Sequence, residues 1–590
     1  MELELNQSVI TNKGRTLMAK LLSGRATATF TKISISSTVY AQGNLAGLTV
    51  LTNVKQTATC QAKPNNGATV SVEAAFNNTG LAAGYDVNTI GVYATDPDEG
   101  EILYAVATAK QNGYMPADTG VSKTGLTIAF YTEVGNASQV NLTVEPGAVA
   151  TKLDVKNLQA NIEDLQGFVG YNDADVYGVE IDMVNKAFKR LAGAINRTPG
   201  AGFDSIKAFG GRKRCILTNE GKVVAYYGEP GYTETGALLQ QVSKGSDTFT
   251  VGTKVQVMVE QPLFYYKVSP IELAPITDGK GYHMRKARYY VSDKPKAGFK
   301  IHPAFVVNGA VKDKIYLSAY EGCLYDVSTG SYVLNDEQIA DFDNDMLSSI
   351  AGAKPASGLT QSLTRANVRK LAQKRGAGWQ QAYAATISAT QLLFLVEYAK
   401  FNMQDVLGPG ATGKTDDSTS NLAEITGATT TLGNQSGHVT NGNNIQMVSY
   451  RGEENLYGNI WKFIDGINVM ANGIHSAYVA DHDFNDKQSA GSYTDVGFTL
   501  AKTSGYVSAF GYSQDFDWLF LTSETTGNSS VPVGDYFWQN YTAIDDGGWR
   551  TVLLGAHWSN GSYAGGFYWN VYYSSVDRGR GLSGRLVYAA

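Results

Sequence analysis

The sequence predicts a multidomain chain that is mainly β with α+β parts, and three observations carry that prediction. Its 590 residues exceed what one hydrophobic core usually spans, which suggests about three to five domains. Charged residues make up 17%, low against the usual quarter, while 64 glycines and 35 tyrosines point to strands joined by many tight turns. Short strand-like runs bounded by turn residues recur along most of the chain, and one stretch breaks them with heptad spacing.

Residues 1–150 read as an α+β domain. Thr11 or Asn12 can cap a helix whose Leu17, Met18, Leu21 and Leu22 share one face, with Gly24 as its stop. The strand-like run Thr27–Ser36 changes register between Phe30 and Ile33, which predicts a bulge. Gly91–Ala109 reads as a hairpin turning at Asp96 to Gly100. The stretches ITNKGRTLMAKLLSGRATATFTKI and GVYATDPDEGEILYAVA resemble the N-terminal attachment domains of phage tail-fibre and upper-baseplate proteins. That resemblance implies a tail or baseplate attachment domain with phage tail proteins as its partners. An ordinary α+β domain of other origin is the plainer reading.

After Pro146, the residues Val155, Leu158, Ile162, Leu165 and Val169 are spaced 3, 4, 3, 4. This is a heptad seam, and it predicts a short coiled-coil neck over 151–172. At two to three heptads it is too short to hold strands together alone, so it would set register for domains that already associate, as a homotrimer. The alternative is one amphipathic helix packed on its own domain.

Residues 173–350 read as a β-rich spacer region. Gly221–Gly228, Lys254–Gln261, Leu263–Leu273 and Ala287–Asp293 are strand-like, and Asp336–Ile350 is expected to form a short helix. The paired tyrosines 226/227, 265/266 and 289/290 fit sheet packing better than a sugar platform. Ala351–Gly358 is a plausible boundary, after which 351–590 forms a C-terminal head. There Ser362–Gly376 reads as a capped amphipathic helix and Ser388–Gly408 as a longer, largely buried one. The polar, Gly/Thr-rich stretch 410–444 reads as an excursion ordered only by docking onto something else.

Several motifs match a pattern and fail on context. GPGATGKT at 408–415 satisfies the phosphate-loop spacing, but a helix precedes it and the acidic DDSTSNLAE follows, where a strand and then a helix are required. Asp481, Asp483 and Asn485 begin like a calcium loop, yet Asp486 and Ser492 occupy the positions of the required Gly and Glu, leaving a solvated turn or a looser cation site. The six histidines form no close metal pattern, and no serine is singled out for a triad. A formal charge of −6 gives no general basis for nucleic-acid binding. Three distant cysteines define neither a disulfide framework nor a zinc site. The start lacks the apolar core of a signal peptide and no apolar run reaches a membrane span, so folding in a cytoplasm without membrane insertion is expected.

The most informative stretch is Gly547–Ala590, where aromatic, Gly, Ser and Asn residues interleave with a single acidic side chain, Asp577, and no lysine. Rigid rings among small polar residues are the composition of a recognition surface; a Gly-rich β core is the bland alternative. Leu553, Leu554, Gly555, Trp558, Gly561, Ala564, Gly565, Phe567, Tyr568, Trp569, Arg578, Arg580, Gly584, Arg585, Leu586 and Val587 match the constant frame of the C-terminal variable region in C-type-lectin-fold proteins diversified by phage retroelements. The resemblance extends upstream through Gly458–Val469 and Arg375–Asn402, giving a module similar to the formylglycine-generating-enzyme type of lectin fold. It implies a variable region at about 547–590, with Tyr563, Tyr572, Tyr573, Asp577, Gly579 and Gly581 at diversified positions. His557, Ser559 and Asn560 join these as ligand contacts, while Trp461, Trp549, Trp558, Trp569 and Arg585 are expected to be structural.

No cysteine follows Cys323, so the thiol chemistry of the related oxidases is not expected, and neither a cofactor nor a metal is. What the resemblance implies is a non-enzymatic receptor-binding protein of the virion tail tip whose partner is a protein or glycan on a bacterial surface. A polysaccharide-degrading tailspike would need paired carboxylates, for which Glu453, Glu454, Asp465, Asp481 and Asp483 are candidates. A structural baseplate subunit is the third reading, with the C-terminal stretch as an assembly interface.

Overall fold

The computed structural model describes residues 3–22, 29–65, 69–118, 125–133, 171–335, 339–471, 475–542 and 545–589. The chain is mainly β, built of several sheets, and separates into two compact units, Met1–Ile162 and Glu163–Ala590. The heptad seam at 155–169 lies outside the described residues, as does Gly24.

In the first unit the helix Asn12–Leu22 starts where the Thr11 hydroxyl accepts the Gly14 amide at 3.0 Å, the Ser/Thr capping geometry. Leu17 and Leu21 are buried against a sheet whose long hairpin, Tyr85–Asp96 with Gly100–Met115, pairs Asp96 with Gly100 at its turn. The strand Thr29–Ser36 pairs with Tyr85–Asp96 and slips register between Phe30 and Lys32. That slip is the expected bulge, which lets both Phe30 and Ile33 face the core. A second sheet, in the order Gln61–Asn65, Thr69–Asn77, Gly125–Glu133, adds Val70, Val72, Phe76, Ile128 and Phe130 to the same core.

The second unit is not divided where the composition shift at 351–358 suggested. One 14-stranded sheet takes strands from both sides of that point, the join being Tyr282↔Tyr512 and His283↔Gly511 between Tyr282–Ser292 and Gly505–Tyr512. A six-stranded sheet does the same, placing the terminal strand Leu586–Tyr588 between Lys314–Ser318 and Trp379–Gln381. In each sheet one edge of the 173–350 strands is covered by a strand of the later region, while Ala187–Ala192 and Val223–Tyr226 stay at the opposite edges. Pairing at that distance leaves no local trace in sequence.

The expected helix at 336–350 is also corrected. Asp341, Asp343, Asn344 and Asp345 form side-chain-stabilised turns, in which the Asp345 carboxylate accepts the Val327 and Asp341 amides and the Asp341 carboxylate accepts that of Asp343. Met346–Ser348 then runs as a strand. Asp and Asn compete with helical hydrogen bonds in this way.

Both later helices form, but the second spans Ala384–Tyr398 rather than 388–408, stopping at Ala399, whose φ of +52° ends it. Arg365–Gln373 starts at Thr364, whose hydroxyl accepts the Asn367 amide. Ala384–Tyr398 is buried over nearly its whole length, in the core that also holds Trp569 and Phe567. The 410–444 excursion docks on its own unit: the buried Glu454 carboxylate accepts the amides of Gly427 and Thr429 at 2.7 Å each, and the Lys414 amide donates to the Trp558 carbonyl at 2.8 Å.

Candidate recognition surface

The C-terminal segment is woven into the unit before any of its residues reaches the surface. Strand Trp549–Leu554 pairs with Trp461–Met470 on one side and Trp569–Val571 on the other. Leu553, Leu554, Trp558, Ala564, Phe567, Tyr568, Trp569, Leu586 and Val587 are buried. Trp569 donates its indole N–H to the Phe520 carbonyl at 2.7 Å. The buried Arg585 guanidinium donates to the carbonyls of Ser318 and Glu454 at 2.7 Å each. Gly555 needs its residue type twice over: its φ is +87°, and a Cβ there would lie 2.6 Å from the Leu456 carbonyl. These frame residues fill space and satisfy backbone, which fits side chains that cannot change freely.

Over this frame lies a stack of flat groups. The His557 ring sits between Trp461, at 3.8 Å, and Trp558, at 4.6 Å, nearly parallel to both. Arg580 lies over the Trp558 ring and holds Asp416 of the docked excursion with both guanidinium nitrogens, one at 2.7 Å. Asp416 also accepts the Trp558 indole N–H at 3.0 Å. Hydrogen bonding from Arg580 holds the Asp416 carboxyl at about 2, and burial pushes His557 down to about 4, so the sandwiched ring is neutral near pH 7. Beside the stack is a recess of about 370 Å³ whose walls include Trp461, Tyr573, Arg578 and Gly579.

The residues expected to touch a ligand divide into three sets. Tyr572 (48% exposed), Tyr573, Asp577 and Gly579 are exposed or half-buried, with Tyr573 and Gly579 lining the same recess. Tyr573 packs edge-on to Tyr572 and leans on Trp461; burial pushes its hydroxyl up to about 12. Asp577 accepts the Ser574 amide and so shapes the 574–577 turn. Tyr563 belongs to another partly exposed group of rings, with Tyr536 at 4.6 Å, Tyr506 at 5.6 Å and Trp538 at 6.2 Å.

The third set is buried or turned to local structure. His557 and Gly581 are buried in the stack, where a Cβ on Gly581 would lie 3.0 Å from the His557 ring, and both line the recess beside it rather than the exposed surface. Asn560 accepts the His557 amide at 2.9 Å, and the Ser559 amide points to the His557 Nδ1 atom. Both remain half-buried at the rim.

Two contributors escaped the sequence reading. The loop at 357–362 lies against the variable segment, the Gly358 amide donating to the Gly579 carbonyl at 2.9 Å and Arg578 reaching the Ser362 hydroxyl. Leu359, 40% exposed, follows Gly358 in this loop. Asp416 is the second, and its only sequence signal was an acidic pair inside a polar excursion.

The motifs set aside in the sequence are occupied by internal contacts. Lys414, the lysine of the phosphate-loop pattern, pairs with Glu424 and donates to the Leu422 carbonyl. Asp486 turns inward to Arg365 and Arg369, and Asp481 bonds His482. Of the other candidate carboxylates, Glu453 pairs with Arg212 and Asp465 with Arg369. Among the described residues no group of three or more His, Cys, Asp or Glu is placed to hold a metal ion.

No protein-family model matches the chain, and no curated protein matches it. Solved structures similar to it include "Major Tropism Determinant P3c Variant" and "Major Tropism Determinant U1 Variant". Each is 13% identical, with a TM-score of 0.22, covering 64% of this chain and 71% of its own. Likeness at that score fixes neither the fold nor the function of this chain.

Proposed function

We propose that this chain is a phage tail adhesin. Residues 1–150 attach it to tail or baseplate proteins, and a C-type-lectin-type head presents the variable segment 547–590 to a receptor on the bacterial surface. The observation that carries this reading is the sorting of the C-terminal segment. Residues matching the constant frame are mostly buried and hydrogen-bonded, whereas Tyr563, Tyr572, Tyr573, Asp577 and Gly579, at the variable positions, reach the surface. A fold that holds its frame independently of those side chains can carry many specificities. Tyr572 and Tyr573 form an aromatic pair at the surface, of the kind that dominates binding energy at interfaces. The activity is binding without catalysis, in a homotrimer whose register is set by the 155–169 seam, within the virion tail.

The test is adsorption. Tyr572→Ala should weaken attachment of the purified protein to host cells by at least tenfold, since an aromatic anchor at the centre of an interface commonly costs more than about 2 kcal/mol, and should leave melting unchanged. Unaltered adsorption by Tyr572→Ala and Tyr573→Ala would refute the assigned face. Mass measurement in solution should give three chains; a monomer at micromolar concentration would refute the trimer.

A further inference from the structure

Behind the variable segment lies a closed cluster of reactive groups that the proposed binding face does not use. Strand Trp461–Met470 carries Lys462, which sits in register with Leu554 of the variable segment. The Lys462 side chain turns back to the 455–459 turn, where Nζ donates to the Gly458 carbonyl at 2.6 Å. Nζ also lies 3.1 Å from Oε1 of Glu321. The other oxygen of that carboxylate accepts two side-chain amides, from Asn459 at 2.6 Å and from Asn455 at 3.2 Å. Lys462, Asn455 and Asn459 are 0% exposed and Glu321 is 1% exposed. One amine and two primary amides are therefore gathered on a single carboxylate, away from water.

A buried ion pair alone is a poor way to stabilise a turn, because desolvation can cancel the attraction. Positive φ at Asn455 and Asn459, +50° and +63°, accounts for asparagine in the backbone, but not for the meeting of both amides on Glu321. The two asparagines differ in what else they do. Asn459 is committed to the docked excursion, its Oδ1 accepting the Glu424 amide at 2.6 Å and its Nδ2 donating to the Glu424 carbonyl at 3.2 Å. The Oδ1 atom of Asn455 is buried with no hydrogen-bond donor among the described residues, an unmet demand that is unfavourable. Arg585 donates to the carbonyls of Glu454 and Asn455 at 2.7 and 3.3 Å. Burial, with that second cation nearby, pushes the Lys462 amine down to about 8, which brings its neutral, nucleophilic form within reach.

We propose that Lys462 and Asn455 join through an intramolecular amide bond, with Glu321 moving the protons. Nζ passes one proton to Glu321, and its lone pair attacks Cγ of Asn455. Glu321 returns that proton to Nδ2, with which it is already hydrogen-bonded, and the Cγ–Nδ2 bond breaks as ammonia leaves. The second proton shed by Nζ goes to the freed carboxylate and departs with the ammonia as ammonium. The balance is one ammonium side chain and one primary amide giving one secondary amide and ammonium, with no change of oxidation state and no co-reactant. The bond ties the 455–459 turn to the strand on which Trp549–Leu554 pairs, closing the frame covalently behind the variable positions. It does not depend on the adhesin reading.

Mass spectrometry of the denatured full-length protein tests this. The parent should be lighter than its sequence by one ammonia, about 17 Da. Trypsin should fail to cut after Lys462, leaving a peptide from Gly452 to Lys487 that carries the same deficit and yields no backbone fragments between Asn455 and Lys462. Lys462→Arg and Asn455→Ala should each show the full sequence mass, and Asn455→Asp should lose water instead, about 18 Da. The proposal is overturned if the parent has its sequence mass, if trypsin still cuts after Lys462, or if the deficit persists in Asn455→Ala. Because the parent's own mass decides, a variant that folds poorly leaves the test intact.

Discussion

Replacing Trp569 by alanine tests whether the frame of the variable segment is a core. The ring is 1% exposed, packs in the cluster that includes Phe520, Phe567 and the helix Ala384–Tyr398, and donates to the Phe520 carbonyl at 2.7 Å. Deleting a buried aromatic ring costs about 3–5 kcal/mol through lost transfer energy and the cavity left behind. The lost hydrogen bond adds about 1 kcal/mol. Tyr572→Ala, at a half-exposed position without a buried partner, should change stability by about 0.5 kcal/mol or less. In a unit as large as Glu163–Ala590, where each kcal/mol moves the midpoint by about 2 °C or less, Trp569→Ala should lower its melting by roughly 5–10 °C. Calorimetry resolves this best, since the two units need not melt together. Trp569→Phe, which keeps an apolar ring and loses the N–H, should fall between. If Trp569→Ala melts with the parent, or Tyr572→Ala melts as low as Trp569→Ala, the division into buried frame and exposed contacts is wrong.

Two further outcomes follow from charges inside the unit. Burial holds His557 at about 4 in the folded chain, against about 6.5 unfolded, so the unfolded state binds the extra proton first. Stability should therefore fall as pH drops from about 6.5 to about 4, by at most ~3 kcal/mol from this group. His557→Phe, which preserves the stack, should reduce that slope of the urea-midpoint profile without abolishing it, because burial pushes His302 down to about 3 and it acts in the same window, and an unchanged slope would exclude His557 as a source. Lys414→Ala should loosen the 410–444 excursion, because the buried Glu424 loses its cation, and is expected to cost about 1–3 kcal/mol. Limited proteolysis should then cut within that excursion faster than in the parent, while magnesium ATP should leave the parent's melting unchanged; an ATP-dependent rise would restore the phosphate-loop reading.

What the sequence made legible was local. The Thr11 cap, the bulge after Phe30 and the turn at Asp96–Gly100 were readable because each depends on neighbours within a few positions. The failure at 336–350 has the same origin, since Asp341 and Asp345 supply local turn hydrogen bonds that compete with a helix. The pairing of Tyr282–Ser292 with Gly505–Tyr512 could not be read, because the residues on each side look like ordinary strand edges. The site divides in the same way. The resemblance sorted frame from variable positions along the chain, but which variable side chain reaches solvent depends on what crosses over it. His557 lies within a stack completed by Trp461 and by Asp416, the latter from an excursion whose docking partner the sequence did not reveal.

That stack also limits how the face can vary, and the two glycines at 579 and 581 separate the possibilities. A Cβ on Gly579 would meet only Leu582, at 3.7 Å, an ordinary contact. A Cβ on Gly581 would lie 3.0 Å from the His557 ring and 3.4 Å from both Trp461 and Trp558, so any larger group must push the stack apart. Displacing Trp558 would strain its bond to Asp416, and through it the Arg580 pair and the docking of the excursion. Gly579→Tyr should therefore keep the parent's melting and change only binding. Gly581→Tyr should lower melting, by about 1–3 kcal/mol as overpacking usually does, and should also speed proteolysis at 410–444, far away in sequence. If Gly581→Tyr is as stable and as protease-resistant as Gly579→Tyr, the stack yields without cost, and residue 581 varies as freely as its neighbour.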